Sequence, residues 1–220
     1  YYYLSNDGLQ NQSVLNTMDT VDGEGTVILD PNTWSDDGTK ALSGYSFSKN
    51  GRYMAYGVSN AGSDWKSWKI RDLKSGKDLP DTVEWSKFSG AAWRPDGSGF
   101  FYARYDAPSE GEGLVDANTN QQLWYHVPGT DQSEDRLIHR DPDHPVWGFS
   151  PSVTEDGRYL IVSIWQGGEP NRVSVVDLST DDWELKPLID NFDSAWSIVG
   201  NDGSMLYFMT DSEAPRSRLV

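Results

Sequence analysis

The hydrophobic and polar positions along the chain repeat one pattern: an apolar or aromatic run, a polar turn containing Asn-Gly or Asp-Gly, and a second aromatic run. Tight hairpin turns need a positive φ, which glycine adopts freely and which Asn and Asp tolerate. Each copy of the pattern therefore predicts a β-hairpin. The copies are residues 45–56, 92–102, 151–162 and 197–208.

The spacing of these hairpins predicts their arrangement. The turn glycines Gly51, Gly97, Gly157 and Gly203 follow one another at intervals of 46, 60 and 46 residues. A period of about 40–50 residues with hairpin turns is typical of β-propeller blades. The longer middle interval indicates an insertion at 106–120, which we expect in a loop on one face of the ring. The sequence thus predicts an all-β propeller.

Further strand-like runs follow each hairpin, so that each repeat predicts a four-stranded antiparallel blade. Inner strands such as Tyr159–Trp165 are apolar on both faces, as blades stacked face to face require. In the second blade we expect a strand over 65–72 and a short edge strand near 82–84. The predicted blades extend approximately over residues 1–33, 41–84, 88–140, 147–190 and, for a partial blade, 193–220.

The first repeat lacks an inner strand and the last repeat is truncated, which argues against a closed ring. A ring that is cut open exposes two apolar blade faces, and such faces favour aggregation. We therefore expect the chain to be a segment of a larger propeller.

Composition excludes several classes of partner. The 220 residues include no cysteine, so there is no disulfide scaffold, no thiolate metal site and no cysteine nucleophile. The formal net charge of −16 predicts no nucleic-acid partner, because affinity for nucleic acid rests on clustered Lys and Arg. No apolar run approaches the roughly 20 residues of a membrane helix, so we expect no membrane partner. We expect a cytoplasmic protein, although a cysteine-free chain also suits the periplasm.

Catalytic and metal-binding motifs are weak or missing. The chain contains no Gly-x-Ser-x-Gly nucleophile elbow, and we expect its three histidines to have ordinary pKa values. Acidic pairs such as Asp36-Asp37 and Asp181-Asp182 lie in predicted turns and lack the spacing of a calcium-binding loop. Residues 23–25 lack the third glycine of a dinucleotide-binding loop. We predict no catalytic residue, no metal site and no cofactor in this chain.

A series of short strings, in order and nearly end to end, resembles the propeller of the prolyl oligopeptidase family. The resemblance implies a seven-bladed ring, of which this chain is roughly blades one to five. It also implies that the ring caps an α/β-hydrolase domain with a Ser-Asp-His triad, which cleaves short peptides after proline and is missing from this sequence. The strings are residues 8–12, 29–32, 42–48, 62–65, 87–89 with Trp93, 125–127, 129–135 and 188–192.

The same resemblance implies roles for four residues. Phe88 matches a position whose aromatic ring lines the substrate subsite beyond the proline. Ile138 matches a second cavity position, at which some family members have cysteine, and Asn118 lies near a third. Asp64 matches an acidic residue that pairs with an arginine of the hydrolase domain. Simpler roles are open as well, because Phe88 and Ile138 suit a blade core and Asp64 suits a turn cap.

Two functions therefore stay open on the sequence alone. The first is the lid and size filter of a proline-specific serine peptidase, with short proline-containing peptides and the α/β-hydrolase domain as partners. The second is a stand-alone propeller that binds a protein or a glycan through its loops. A monomeric, cooperatively folded protein without exposed apolar faces would favour the second.

Overall fold

The computed structural model describes residues 1–108 and 118–220. Strands dominate this part of the chain, and its helical segments are two short 3-10 turns at Pro31–Thr33 and Gln132–Glu134. In each sheet the strands follow one another in chain order and pair antiparallel. The prediction of an all-β fold is confirmed.

We number the sheets of the described residues 1 to 5 along the chain. Sheets 2 and 3 are joined at one point, where Ser86 pairs with Arg104. Sheet 1 contains β1 (Tyr2–Ser5), β2 (Val14–Thr17) and β3 (Thr26–Leu29). Sheet 2 contains β4 (Lys40–Phe47), β5 (Tyr53–Asn60), β6 (Lys66–Asp72) and β7 (Lys77–Ser86). Sheet 3 contains β8 (Ala92–Trp93), β9 (Phe100–Arg104), β10 (Gln122–His126) and β11 (Arg136–Arg140).

The remaining strands form two further sheets. Sheet 4 contains β12 (Gly148–Val153), β13 (Tyr159–Trp165), β14 (Asn171–Asp177) and β15 (Lys186–Ile189). Sheet 5 contains β16 (Trp196–Asp202), β17 (Met205–Thr210) and β18 (Arg218–Leu219). The turns predicted between the first two strands of sheets 2 to 5 are present: Gly51, Gly97, Gly157 and Gly203 have φ values from 56° to 75°.

The last strand of sheet 2 is longer than predicted. We expected a short edge strand near 82–84, whereas β7 extends over the ten residues Lys77–Ser86. Its register shifts between the pairs Lys69–Thr82 and Arg71–Asp78, which leaves a bulge around Pro80. Proline has no N–H to donate, but an outer strand with a bulge accommodates it, and the strand continues on both sides.

Alternate residues of the inner strands face opposite neighbouring sheets, because side chains alternate along a strand. In β5, Met54 packs with Leu15 of sheet 1, and the adjacent Ala55 packs in the cluster between sheets 2 and 3. In β9, Phe100 faces sheet 2 and Phe101 faces sheet 4. Each of these side chains is fully buried, and burying one large apolar side chain contributes about 1.5–3 kcal/mol. The core therefore lies between stacked sheets.

One end of the strands carries the loops that contain the predicted residues Asp64, Phe88 and Asn118. Because strands alternate in direction, the loops between second and third strands emerge on the same side as the loops between consecutive sheets. We call this side the loop face. Its described loops include residues 61–65, 87–91, 105–108, 118–121, 141–147, 166–170 and 190–195.

Candidate functional site

Phe88 lies on the loop face, in a tight protrusion that directly follows β7. The hydroxyl of Ser86 donates a hydrogen bond of 2.8 Å to the carbonyl of Ala103. The hydroxyl of Ser89 accepts one of 2.8 Å from the amide of the same Ala103. Both serines are buried. The protrusion is therefore fastened to β9 at both ends, with Lys87 and Phe88 between the two attachments.

Packing in the hydrophobic core does not explain the position of the Phe88 side chain. Its side chain is 47% exposed, and it belongs to none of the four hydrophobic clusters of the described residues. Its φ of 55° lies in the left-handed region, which costs a residue other than glycine about 1–3 kcal/mol. A strained backbone that holds an aromatic ring outside the core is typical of a functional position.

The ammonium group of Lys87 lies among aromatic rings and one carboxylate. Its side chain is only 12% exposed. The Nζ atom lies 5.0 Å from the ring centre of Trp65 and 5.2 Å from that of Phe88, within the range of cation–π attraction. Gln121 fixes the backbone here, because its Nε2 donates a 2.9 Å hydrogen bond to the carbonyl of Lys87. Lys87 and Gln121 together limit the freedom of the Phe88 ring.

Asp64 has a partner within the chain. Its Oδ2 lies 3.9 Å from the Nζ of Lys87, and its side chain is 66% exposed. An exposed pair at this distance contributes at most about 1 kcal/mol, and the open side of the carboxylate remains accessible to a second cation. The predicted contact with an arginine of another domain stays a prediction.

Asn118 also lies on the loop face, where it is exposed and lines a cleft with Trp65 and Tyr105. The predicted insertion at 106–120 can be followed at 106–108 and 118–120, whereas residues 109–117 lie outside the described residues. The structure thus brings Asp64, Phe88 and Asn118 to one face. Their roles toward a substrate stay predictions.

Ile138 lies apart from the other three predicted residues. It is half-buried in the outer strand β11 and packs against the hydrophobic cluster between sheets 3 and 4. This cluster includes Leu123 and Phe149. The structure therefore gives Ile138 the simpler packing role that the sequence left open, and its predicted place in a cavity wall stays a prediction.

A buried histidine between two carboxylates lies beneath the loops of the opposite side. The ring of His126 is fully buried, with Nδ1 2.6 Å from Asp135 Oδ1 and Nε2 3.2 Å from Asp81 Oδ2. The hydroxyl of Tyr102 donates to the other oxygen of Asp135 at 2.5 Å. The amide of Gly129 donates to Asp81 at 2.6 Å. The network links β7 of sheet 2 to β10 of sheet 3.

The expectation of ordinary histidine pKa values is wrong for two residues. Burial alone favours the neutral ring of His126, but the hydrogen bonds and charges of Asp135 and Asp81 outweigh burial and raise its pKa. Burial lowers the pKa of His139, which the charge of Asp141 only partly offsets. Because the network joins β7 to β10, it contributes to the contact between sheets 2 and 3.

The described ranges 1–108 and 118–220 contain no group of three or more His, Cys, Asp or Glu side chains arranged to hold a metal ion. In the same ranges there is no helix that is both long enough and apolar enough to cross a membrane.

Comparison with known proteins identifies the fold and the family. The stacked antiparallel sheets make the chain a β-propeller, and the family model described as "Prolyl oligopeptidase, N-terminal beta-propeller domain" matches residues 1–220. The chain belongs to this family. Prolyl endopeptidase of Elizabethkingia meningoseptica is 41% identical over 219 residues, which cover 100% of this chain and 31% of the relative. Prolyl oligopeptidase A of Amanita bisporigera is 35% identical, and the match covers 100% of this chain and 33% of the relative.

Solved structures agree with this assignment. A structure from a study of two prolyl endopeptidases has a TM-score of 0.88 at 35% identity, covering 100% of this chain and 31% of that chain. Prolyl oligopeptidase B from Galerina marginata, bound to a 25mer macrocyclization substrate, has a TM-score of 0.89 at 30% identity. The match covers 99% of this chain and 34% of that chain. The predicted propeller and the resemblance are confirmed. The chain spans about a third of the length of these relatives.

Sequence analysis missed Trp165 and Gly148, which pair on the loop face beside Phe88. A tryptophan that ends an apolar strand looks like core from its sequence. The one local signal is a glycine at the first position of the neighbouring strand, since glycine weakens a strand and often marks a close approach.

Proposed function

We propose that the chain is the propeller portion of a serine peptidase that cleaves short peptides after proline. In this role the propeller covers the catalytic domain, admits short peptides and keeps out bulky chains and bulk water. The observation that carries the proposal is the exposed, strained Phe88 on the loop face of a chain whose whole length matches the family's propeller. A strained aromatic outside the core needs a ligand or a second surface to justify its position.

Peptides are the substrate class that the relatives support. Prolyl oligopeptidase B from Galerina marginata was solved with a macrocyclization substrate. For the present protein, the Phe88 ring would contact the residues that lie beyond the proline when counted from the cleaved bond, which are those that precede the proline in the peptide. Asp64 and Asn118 would lie at the margin of the same face. Acyl transfer itself would take place on the hydrolase domain, because this chain supplies no nucleophile elbow.

The stand-alone binding propeller fits the structure less well. The side of sheet 5 that faces away from sheet 4 exposes a group of apolar side chains, and sheet 1 exposes Val27 on the side away from sheet 2. Contiguous apolar exposure of this kind is unfavourable in an isolated soluble domain, so it supports a propeller that continues into further structure. The exposed residues include Val199, Met205, Met209 and Leu219 in sheet 5 and Val27 in sheet 1.

The proposal is tested in the full-length protein with fluorogenic proline peptides. Phe88→Ala is expected to raise KM roughly tenfold, equivalent to about 1.4 kcal/mol of binding. Leu188→Ala is the matched control, because Leu188 is 45% exposed but lies on the outer strand β15. It is expected to leave KM unchanged. A full-length protein that does not cleave after proline would overturn the proposal.

A further inference from the structure

Phe88 shares its exposed surface with a second aromatic side chain, that of Trp165. Trp165 ends β13, and its ring meets that of Phe88 edge to face, with the centroids 6.2 Å apart and the planes at 83°. Phe88 lies in the loop between sheets 2 and 3 and Trp165 lies in sheet 4, 77 positions apart in sequence. Like Phe88, Trp165 is absent from the four hydrophobic clusters of the described residues. The two rings therefore pack on each other and not on the core.

Gly148 determines where the Trp165 ring lies. The two residues are opposite each other in the antiparallel pair of β12 and β13. A Cβ atom at position 148 would overlap with the Cζ2 and Cε2 atoms of the indole. The backbone of Gly148 has no left-handed conformation to explain the glycine, so the close approach of the indole is its reason. The indole is held in place before any ligand arrives.

Two aromatic faces nearly perpendicular to each other form an open corner, which we call the aromatic corner (Phe88 and Trp165). Such a corner offers an apolar side chain contact with two rings, and an aromatic pair contributes about 0.5–1.5 kcal/mol beyond its buried area. The ammonium group of Lys87 lies 5.2 Å from the Phe88 ring. Asp64 already pairs with this ammonium group, so the corner is left to bind a ligand by contact with its two rings. The chemistry selects apolar or aromatic groups.

We propose that Trp165 is a specificity-determining residue, which together with Phe88 selects peptides with an aromatic or large apolar side chain just before the proline. Gly148 is a positioning residue that acts through the indole. This inference rests on the proposed function.

The test uses the full-length protein and peptides that are identical except for Phe or Gly at one of the two residues before the proline. We expect the wild type to prefer Phe, and Trp165→Ala to reduce this preference about fivefold through KM, in line with one lost aromatic contact. Gly148→Ala is expected to reduce it similarly although the indole is still present. Trp165→Phe is expected to restore part of the preference. Gly200→Ala is the matched control, since a Cβ there meets no atom within 4 Å.

The outcomes separate the inference from the function on which it rests. If Trp165→Ala lowers kcat/KM equally for the Phe and Gly peptides, or lowers it for neither, the specificity role is overturned. If the Gly148→Ala protein does not fold, the results for Trp165→Ala and Trp165→Phe decide whether the inference holds. If the wild type cleaves none of the peptides, the proposed function fails, and calorimetric titration with the same peptides tests the corner directly. Equal affinity for Phe and Gly peptides would then overturn it.

Discussion

The Nδ1 atom of His126 lies 2.6 Å from the Oδ1 atom of Asp135, and both side chains are completely buried. With Asp81 on the other ring nitrogen, a protonated His126 would be paired on both sides. This arrangement makes the contact between sheets 2 and 3 depend on the protonation of one imidazole. The nearby Asp131 has its pKa lowered mainly by hydrogen bonds from Ser133, with a smaller contribution from the charge of His126.

The first prediction concerns pH. The pKa of His126 is raised in the folded protein above its ordinary value of 6.5, so the folded state binds the proton more tightly than the unfolded state. The resulting stabilisation is fully present below about pH 6.5 and is lost as the pH rises through the folded pKa. The lowered pKa of His139 acts in the opposite direction, so the contribution of His126 is taken as the difference between the wild type and a His126 variant in urea unfolding at pH 6 and pH 9, and it should be smaller at pH 9.

The His126→Gln variant tests the origin of this pH dependence. It should unfold about 3–5 kcal/mol more easily, because it leaves buried carboxylates without their partner, and it should lose most of the fall between pH 6 and pH 9. His144→Gln is the control: His144 is exposed but contacts Asp141 and Trp147, so its loss should cost about 1 kcal/mol while the His126 network stays intact. An unchanged pH profile in His126→Gln would contradict the account.

The second prediction concerns the pair formed by Lys87 and Asp64. Lys87→Met keeps the buried stem but removes the charge, and it should destabilise the protein by about 1 kcal/mol through the lost ion pair and cation–π contacts. A double-mutant cycle with Asp64→Asn measures the coupling between the two residues. A coupling below about 1 kcal/mol is expected. Zero coupling, together with a strong effect of Asp64→Asn on activity, would instead favour a partner for Asp64 in another domain.

The third prediction concerns Ser86, which fastens the Phe88 protrusion. Its hydroxyl also accepts a 3.0 Å hydrogen bond from Nε1 of the buried Trp68. Ser86→Ala leaves this indole N–H without an acceptor and should cost about 1–3 kcal/mol of stability, measured by urea unfolding. Ser204→Ala, in an exposed turn, should have no measurable effect. Equal stability of the two variants would show that the attachment is not needed.

The sequence was most informative where structure is local. The turn at Gly51 and the apolar faces of Tyr159–Trp165 depend on residues close in the chain, and both predictions agree with the structure. The length of β7 was mispredicted because Pro80 reads as a break, whereas an outer strand with a bulge passes through it.

The candidate site was harder to predict because its contacts are distant in sequence. Phe88 and Trp165 meet across 77 positions, and no periodicity or turn signal reports such a contact. The raised pKa of His126 depends first on Asp135, nine residues away, and then on Asp81, 45 residues away, and only the second of these contacts is distant in sequence. The resemblance pointed to Phe88 and Asp64, but it gave no sign that Lys87 joins them.

The most direct test of the central claim compares this 220-residue chain with the full-length protein in the hydrolysis of proline-containing peptides. The account predicts that the chain alone shows no turnover, and that the full-length protein cleaves after proline and is blocked by a serine-directed inhibitor. Turnover by the chain alone that survives purification to homogeneity and resists serine-directed inhibitors would contradict it.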